Sequence, residues 1–160
     1  MTIKKAAKKE VWVAVSGGFD PIHIGHINLF ESAKKLGDKL VVILNNDNWL
    51  IKKKGYVFMP EKERKKLLEA MRVVDKVVLT EHPKDPSYRH IGFTLRKVKP
   101  DIFCNGGDKG ITNEFEVAAC KEVGCRMVAR VGGGKVQSSS WLIDNFEKSL
   151  NGKFKEPRKW

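Results

Sequence analysis

The chain has 160 residues, 41% of them apolar and 31% charged, which suits one soluble domain with a core of its own. No apolar run reaches the roughly 18 residues of a membrane span. The basic start MTIKKAAKKE has no apolar stretch behind it, so it does not read as a secretory signal, and the expected location is cytoplasmic.

The net charge of +12 is concentrated at the ends. Residues 1–10 hold four lysines against one glutamate, and residues 151–160 hold three lysines and an arginine against one glutamate, giving +3 at each end. A basic extension (1–10) and a basic tail (151–160) are thus expected to flank one domain over 11–150. The remaining +6 suits a small anionic substrate as well as a nucleic acid. The three cysteines, Cys104, Cys120 and Cys125, are odd in number and miss the paired spacing of zinc sites. They read as small hydrophobes rather than nucleophiles.

In chain order, VWVAV (11–15) predicts a buried strand that a glycine loop ends. HINLFESAKKL (26–36) places Ile27, Phe30, Ala33 and Leu36 near helical spacing, with Gly37 as its stop. KLVVILN (39–45) is a second strand. Pro60 opens a helix through EKERKKLLEAM, and DKVVLT (75–80) is a third strand, broken by HPKDPS. Residues 89–98 predict a helix stopped by Pro100, and DIFCN (101–105) a fourth strand. NEFEVAACKEV (113–123) is a helix capped by Asn113, RMVARV (126–131) a fifth strand, and the last helix starts near Ser139 or Ser140. This alternation predicts an α/β fold, a single Rossmann-like domain of about five parallel strands with helices on both faces.

In such folds ligands bind beyond the carboxyl ends of the strands, and three unusual loops fall there. SGGFDPIHIGH (16–26) follows the first strand, NGGDKG (105–110) the fourth, and GGGKVQSSS (132–140) the fifth. The first would serve as a turn, a metal site or a phosphate cradle. Gly17 and Gly18 free backbone N–H groups to face an anion, and His23 and His26 stand at a helix start, where unpaired donors favour phosphate. A metal site fits less well, because a histidine pair on a helix usually comes with a third ligand. NGGDKG also has the composition of an ordinary turn, and one serine of the third loop would suffice as an N-cap. Neither the P-loop spacing nor the dinucleotide fingerprint is present.

The pattern G-x-F-D-x-x-H-x-G-H, with a serine-rich turn before the last helix, resembles the cytidylyltransferase-like nucleotidyltransferase superfamily over roughly residues 11–145. Class I aminoacyl-tRNA synthetases share the HIGH signature, but the chain is short for them and lacks a KMSKS-like loop. The resemblance implies transfer of a nucleoside monophosphate from CTP or ATP to a small phosphorylated acceptor, with pyrophosphate released and magnesium arriving with the triphosphate. It implies catalytic roles for His23, His26 and Lys54, the last carried on a mobile loop over the α-phosphate. Nucleotide contacts are implied for Gly17, Gly18, Phe19, Gly107, Asp108, Ser138, Ser139 and Ser140.

Arg64 and Arg72 are candidates for phosphates of the acceptor or the triphosphate, a helix-surface salt bridge being the other reading of each. AMRVVDKVV (70–78) resembles the signature of glycerol-3-phosphate and choline-phosphate cytidylyltransferases, whereas NGGDKG and its following helix look closer to heptose-1-phosphate adenylyltransferases. These features favour a polyol- or sugar-phosphate acceptor, with the base unsettled. FMN and pantetheine-phosphate adenylyltransferases, which share parts of the pattern, stand as the alternative. Homodimers are common in this superfamily. A non-catalytic nucleotide- or nucleic-acid-binding protein is the reading of another class. Any binding of nucleic acid by the tails would weaken steeply with salt.

Overall fold

A computed structural model describes residues 9–152, so most of both charged ends lies outside the described residues. The elements in order are β1 (Trp12–Gly17), α1 (Ile24–Lys34), β2 (Lys39–Leu44), α2 (Asp47–Lys54), α3 (Glu61–Glu69), β3 (Lys76–Leu79), α4 (Gly92–Val98), β4 (Ile102–Gly106), α5 (Glu114–Val123), β5 (Arg126–Val131) and α6 (Ser139–Leu150). All strand pairings are parallel, in the order β3-β2-β1-β4-β5. The chain walks outward from β1 to β3 and then returns to lay β4 against the other side of β1. That reversal opens a crevice above the carboxyl ends of β1 and β4, the place where ligands bind in open parallel sheets.

Strand alternation divides the core in two. Val13, Val15, Leu40, Val42 and Leu44 pack with Phe30 and Ala33 of α1 and Leu68 of α3. Ala14, Val41, Ile43 and Phe103 face the other way, onto Leu95 of α4 and Ala119 and Cys120 of α5. Both faces are covered, which is why the strands read as continuous apolar runs rather than alternating ones. All three cysteines are buried free thiols in these layers. Burial pushes the Cys104 thiol up to about 11, and burial together with the neighbouring Cys120 pushes Cys125 up to about 12. Neither is a nucleophile at neutral pH.

One helix was not anticipated. Residues 47–54 form α2, capped by the Asn46 side chain, which accepts from the N–H of Trp49, and stopped by Gly55 in the left-handed region at φ 82°. Three lysines in its last turn mask the short apolar pair Trp49 and Leu50 that docks it. Lys54 therefore ends a helix instead of riding a loop.

Two glycines let the sheet close on the start of α1. A Cβ on Gly106 would stand 2.8 Å from Leu29 Cδ2; one on Gly132, at φ 87°, would stand 2.8 Å from the Leu29 backbone. Gly132→Ala is expected to cost more than about 1 kcal/mol, because both its conformation and its space exclude a side chain. A thermal melt matching the wild type would refute that close approach.

Candidate active site

The loop between β1 and α1 is built from the inside out. Phe19, with φ at 49°, turns its ring inward, where it meets Phe30 at 5.2 Å and the His26 ring edge-on at 4.8 Å. It is 3% exposed, so its ring supports His26 from within the core. Asp20 is fully buried, and its carboxylate accepts from the N–H of Phe58 at 2.8 Å and of Met59 at 2.6 Å. This carboxylate pins the segment that follows Lys54. The Asp20 carbonyl accepts from Lys54 Nζ at 3.1 Å, and the Pro21 carbonyl accepts from Ser139 Oγ at 2.7 Å. Two consecutive carbonyls thus tether α2 and α6 to the same loop.

His23 and His26 cap α1 themselves. His23 Nδ1 accepts from the N–H of Gly25 at 3.1 Å, and His26 Nδ1 accepts from the N–H of His23 at 3.3 Å. The rings stack with centroids 3.7 Å apart. An Nδ1 that accepts cannot carry the proton, so each neutral ring holds its proton on Nε2. Two N–H donors are thereby fixed at a helix N-terminus, an arrangement that suits the oxygens of a phosphate.

Burial first, then Lys54 and Lys135, lowers the His23 pKa to about 4. Burial first, then His23, Lys54 and Lys109, lowers His26 to about 3. Both rings are neutral at pH 7. As pH falls below 6.5 the unfolded imidazoles take up protons, while the folded ones wait until about 4 and 3. The unfolded state then binds more protons, so stability is lost between pH 6.5 and 3 and not further below. Melting temperatures taken from pH 7 to pH 4 should fall less in His26→Asn, whose amide oxygen keeps the cap acceptor without the titration. Parallel curves for the two proteins would reject neutral burial of His26.

Cations from separate elements surround this pair. Lys54 is held below its usual pKa chiefly by burial, against the opposing pull of Asp20. Lys53 lies 4.5 Å from the centre of the Trp49 ring. Burial, then Lys109, Lys54 and Arg89, brings its pKa down to about 8. Lys135, from the third loop, sits 4.3 Å from the Trp141 ring centre. Such a concentration of positive charge calls for a polyanion.

Ser138 caps α6 by accepting from the N–H of Trp141 at 3.1 Å. Ser139 is buried against Pro21, and Ser140 is exposed in the first turn of α6. The N-termini of α1 and α6 therefore lie side by side, one on each flank of the loop. Gly107, at φ 60°, turns the end of β4 toward β5, its N–H donating to the Val131 carbonyl at 3.3 Å. Asp108 is exposed in that turn. Its neighbour Lys109, not singled out from the sequence, is the residue of this loop whose charge reaches His26 and Lys53.

The two arginines part company. Arg64 is 1% exposed; its guanidinium donates to the carbonyls of Gly18 (2.7 Å), Asn45 (2.8 Å) and Met59 (2.8 Å) and to the Asp47 carboxylate (2.5 Å). It braces three segments of the site from below rather than forming a helix-surface pair. Arg72 precedes β3, at the edge where the strands begin, and does not join the site. Gly18 approaches Leu50 so closely that a Cβ would stand 2.7 Å from it, and one on Gly17 would stand 2.9 Å from the Phe19 ring. These two glycines serve packing beneath the loop. Among the described residues, one buried side-chain atom lacks a partner, Asn45 Oδ1, at the end of β2.

The model of a cytidylyltransferase-like domain matches residues 14–126. The chain belongs to the cytidylyltransferase-like family. It is a nucleotidyltransferase, and the loop between β1 and α1 lies within the matched residues. The chain is 37% identical over 118 residues to the FAD synthase of Pyrococcus abyssi, covering 73% of this chain and 74% of that one. The FAD synthase of Archaeoglobus fulgidus is 33% identical over 71% of this chain and 79% of its own. The bifunctional protein HldE of Desulfatibacillum aliphaticivorans is 34% identical over 82% of this chain, but that match spans 26% of the longer relative.

Among solved structures, the lipopolysaccharide core biosynthesis protein of Thermoplasma volcanium superposes with a TM-score of 0.63 at 28% identity, over 79% of this chain and all of that one. A polyol-phosphate acceptor is not what these relatives favour; FAD synthases predominate among those named here. Among the described residues no helix is long and apolar enough to cross a membrane. No group of three His, Cys, Asp or Glu among them is placed to hold a metal ion.

Proposed function

We propose that this nucleotidyltransferase joins AMP from ATP to FMN, forming FAD and pyrophosphate. The observation that carries the reading is the 37% identity to an FAD synthase across nearly three quarters of both chains. An oxygen of the FMN phosphate attacks the α-phosphorus of ATP; a P–O bond forms there as the bond to the β-phosphate oxygen breaks, and pyrophosphate leaves. The work is alignment and charge stabilisation, not proton transfer, which suits histidines that stay neutral.

In this reading the Nε2–H groups of His23 and His26 donate to the α-phosphate as it becomes five-coordinate. Lys54 lies over the same phosphate, and the first turn of α6 at Ser138, Ser139 and Ser140 receives the β- and γ-phosphates. Ser139 contributes its backbone N–H, since its hydroxyl is committed to Pro21. Gly107, Asp108 and Lys109 border the nucleoside. Magnesium enters as part of the substrate, held by triphosphate oxygens, in keeping with the neutral imidazole and ammonium donors that line the cleft. A homodimer is the assembly to look for by light scattering.

The test is FAD formation from ATP, FMN and magnesium, followed by chromatography and by pyrophosphate release. CTP in place of ATP should give less than about a tenth of the rate, a discrimination of roughly 1.4 kcal/mol. A second reading, a sugar-phosphate acceptor, is favoured by the wider cover of the HldE match. Pyrophosphate release with a sugar 1-phosphate and not with FMN would select it.

A further inference from the structure

The segment between β3 and α4 is long and irregular, yet it is tightly held. The His82 carbonyl accepts from Asn46 Nδ2 at 2.8 Å and from Asn48 Nδ2 at 2.9 Å, and the Arg89 carbonyl accepts from Trp49 Nε1 at 2.8 Å. All three donors belong to α2 or its cap, the element whose last turn carries Lys53 and Lys54. The segment is therefore fixed to the edge of the cation cluster.

Its side chains form an array of rings. Tyr88 stacks on His90 at 4.9 Å, Phe93 stands edge-on to Tyr88 at 5.3 Å, and His82 tilts against Tyr88 at 5.1 Å. These four rings wall a cavity of about 340 Å³, whose rim carries the ion-paired Glu81 and Lys97. That volume falls within the range of small-molecule sites, about 300–1,000 Å³. Phe93 is 55% exposed, so one face of its ring is open to a ligand. A pocket with aromatic walls and a polar rim fits a flat heteroaromatic ring that has one apolar edge and one hydrogen-bonding edge. Lys109 and Arg89, from two other segments, act electrostatically on Lys53, and Arg89 lies in the chain between the cavity-lining Tyr88 and His90.

We propose that this cavity is the acceptor subsite: it takes the isoalloxazine ring against the wall formed by Tyr88 and Phe93, while Lys53 and Arg89 hold the acceptor's phosphate toward the histidine pair. The inference rests on the FMN reading above and adds where, and by which residues, the flavin is recognised. The ring subsite and the phosphate subsite contribute separately, and riboflavin, which lacks the phosphate, reports on the first alone.

Flavin fluorescence is titrated with the full chain, using FMN and riboflavin, for the wild type, Phe93→Ala, Tyr88→Ala and Lys53→Gln. Circular dichroism checks each fold. Phe93→Ala, at an exposed position, keeps the test valid even if Tyr88→Ala fails to fold. Loss of an aromatic wall should weaken both flavins about tenfold, while KM for ATP stays within about twofold. Lys53→Gln should weaken FMN and leave riboflavin unchanged. Wild-type FAD synthesis with undiminished flavin binding in Phe93→Ala and Tyr88→Ala would overturn the subsite and leave the FMN reading standing. A wild type that neither binds flavin nor makes FAD would overturn both.

Discussion

His26→Ala is expected to lower kcat for nucleotidyl transfer by about 10²–10³-fold, the effect of deleting one fixed donor to developing charge. The ring is positioned on three sides: Phe19 stands edge-on to it, His23 stacks on it, and its Nδ1 accepts from the His23 backbone. Alanine removes the cap as well as the donor, at a cost of about 1 kcal/mol in the helix start. His26→Asn separates the two effects, since its side-chain oxygen takes over the cap while nothing replaces Nε2–H. The two variants should therefore differ in melting temperature and share the loss in kcat. A fall of less than about threefold in both, on folded protein, would remove His26 from the chemistry.

Arg64→Met should lower the melting temperature by about 10 °C. Methionine fills much of the volume but leaves the carbonyls of Gly18, Asn45 and Met59 and the Asp47 carboxylate without their donor. Breaking a buried pair from one side costs about 3–5 kcal/mol. The Asp47 side chain is 31% exposed and regains water, so a value near the lower end, about 3 kcal/mol, is appropriate. A chain of this size loses roughly 2–4 °C per kcal/mol. Arg64→Lys should recover less than half, because one ammonium does not span four acceptors. A melting temperature within about 2 °C of the wild type in Arg64→Met would mean that the brace is dispensable.

The order of strands and helices was legible because each apolar run is short, β-branched and bounded by glycine or proline. The histidine motif was legible because its glycines, proline and imidazoles have no use in a plain strand or helix. Other features were hidden for identifiable reasons. The eight residues of α2 carry three consecutive lysines that hide its short apolar pair, the resemblance implied a mobile loop there, and the cap at Asn46 shows only once Trp49 docks. Arg64 and Arg72 look alike along the chain, and only the direction of α3 through the fold sends one under the site and the other to the far edge. Phe19 reads as part of a ligand motif, but its backbone conformation turns the ring into the core. Lys53 and Lys109 meet through tertiary folding, which no local spacing encodes.

The tether between Ser139 and the Pro21 carbonyl joins residues 118 positions apart. During synthesis, the first histidine loop leaves the ribosome more than a hundred residues before the serines that flank it. A chain halted after Val131 would already own all five strands and both imidazoles, yet it would lack the helix start proposed to receive the outer phosphates. Such a nascent chain should assemble a sheet and hold triphosphate poorly. On that proposal, competence for the triphosphate arrives abruptly, with α6, and not with the sheet.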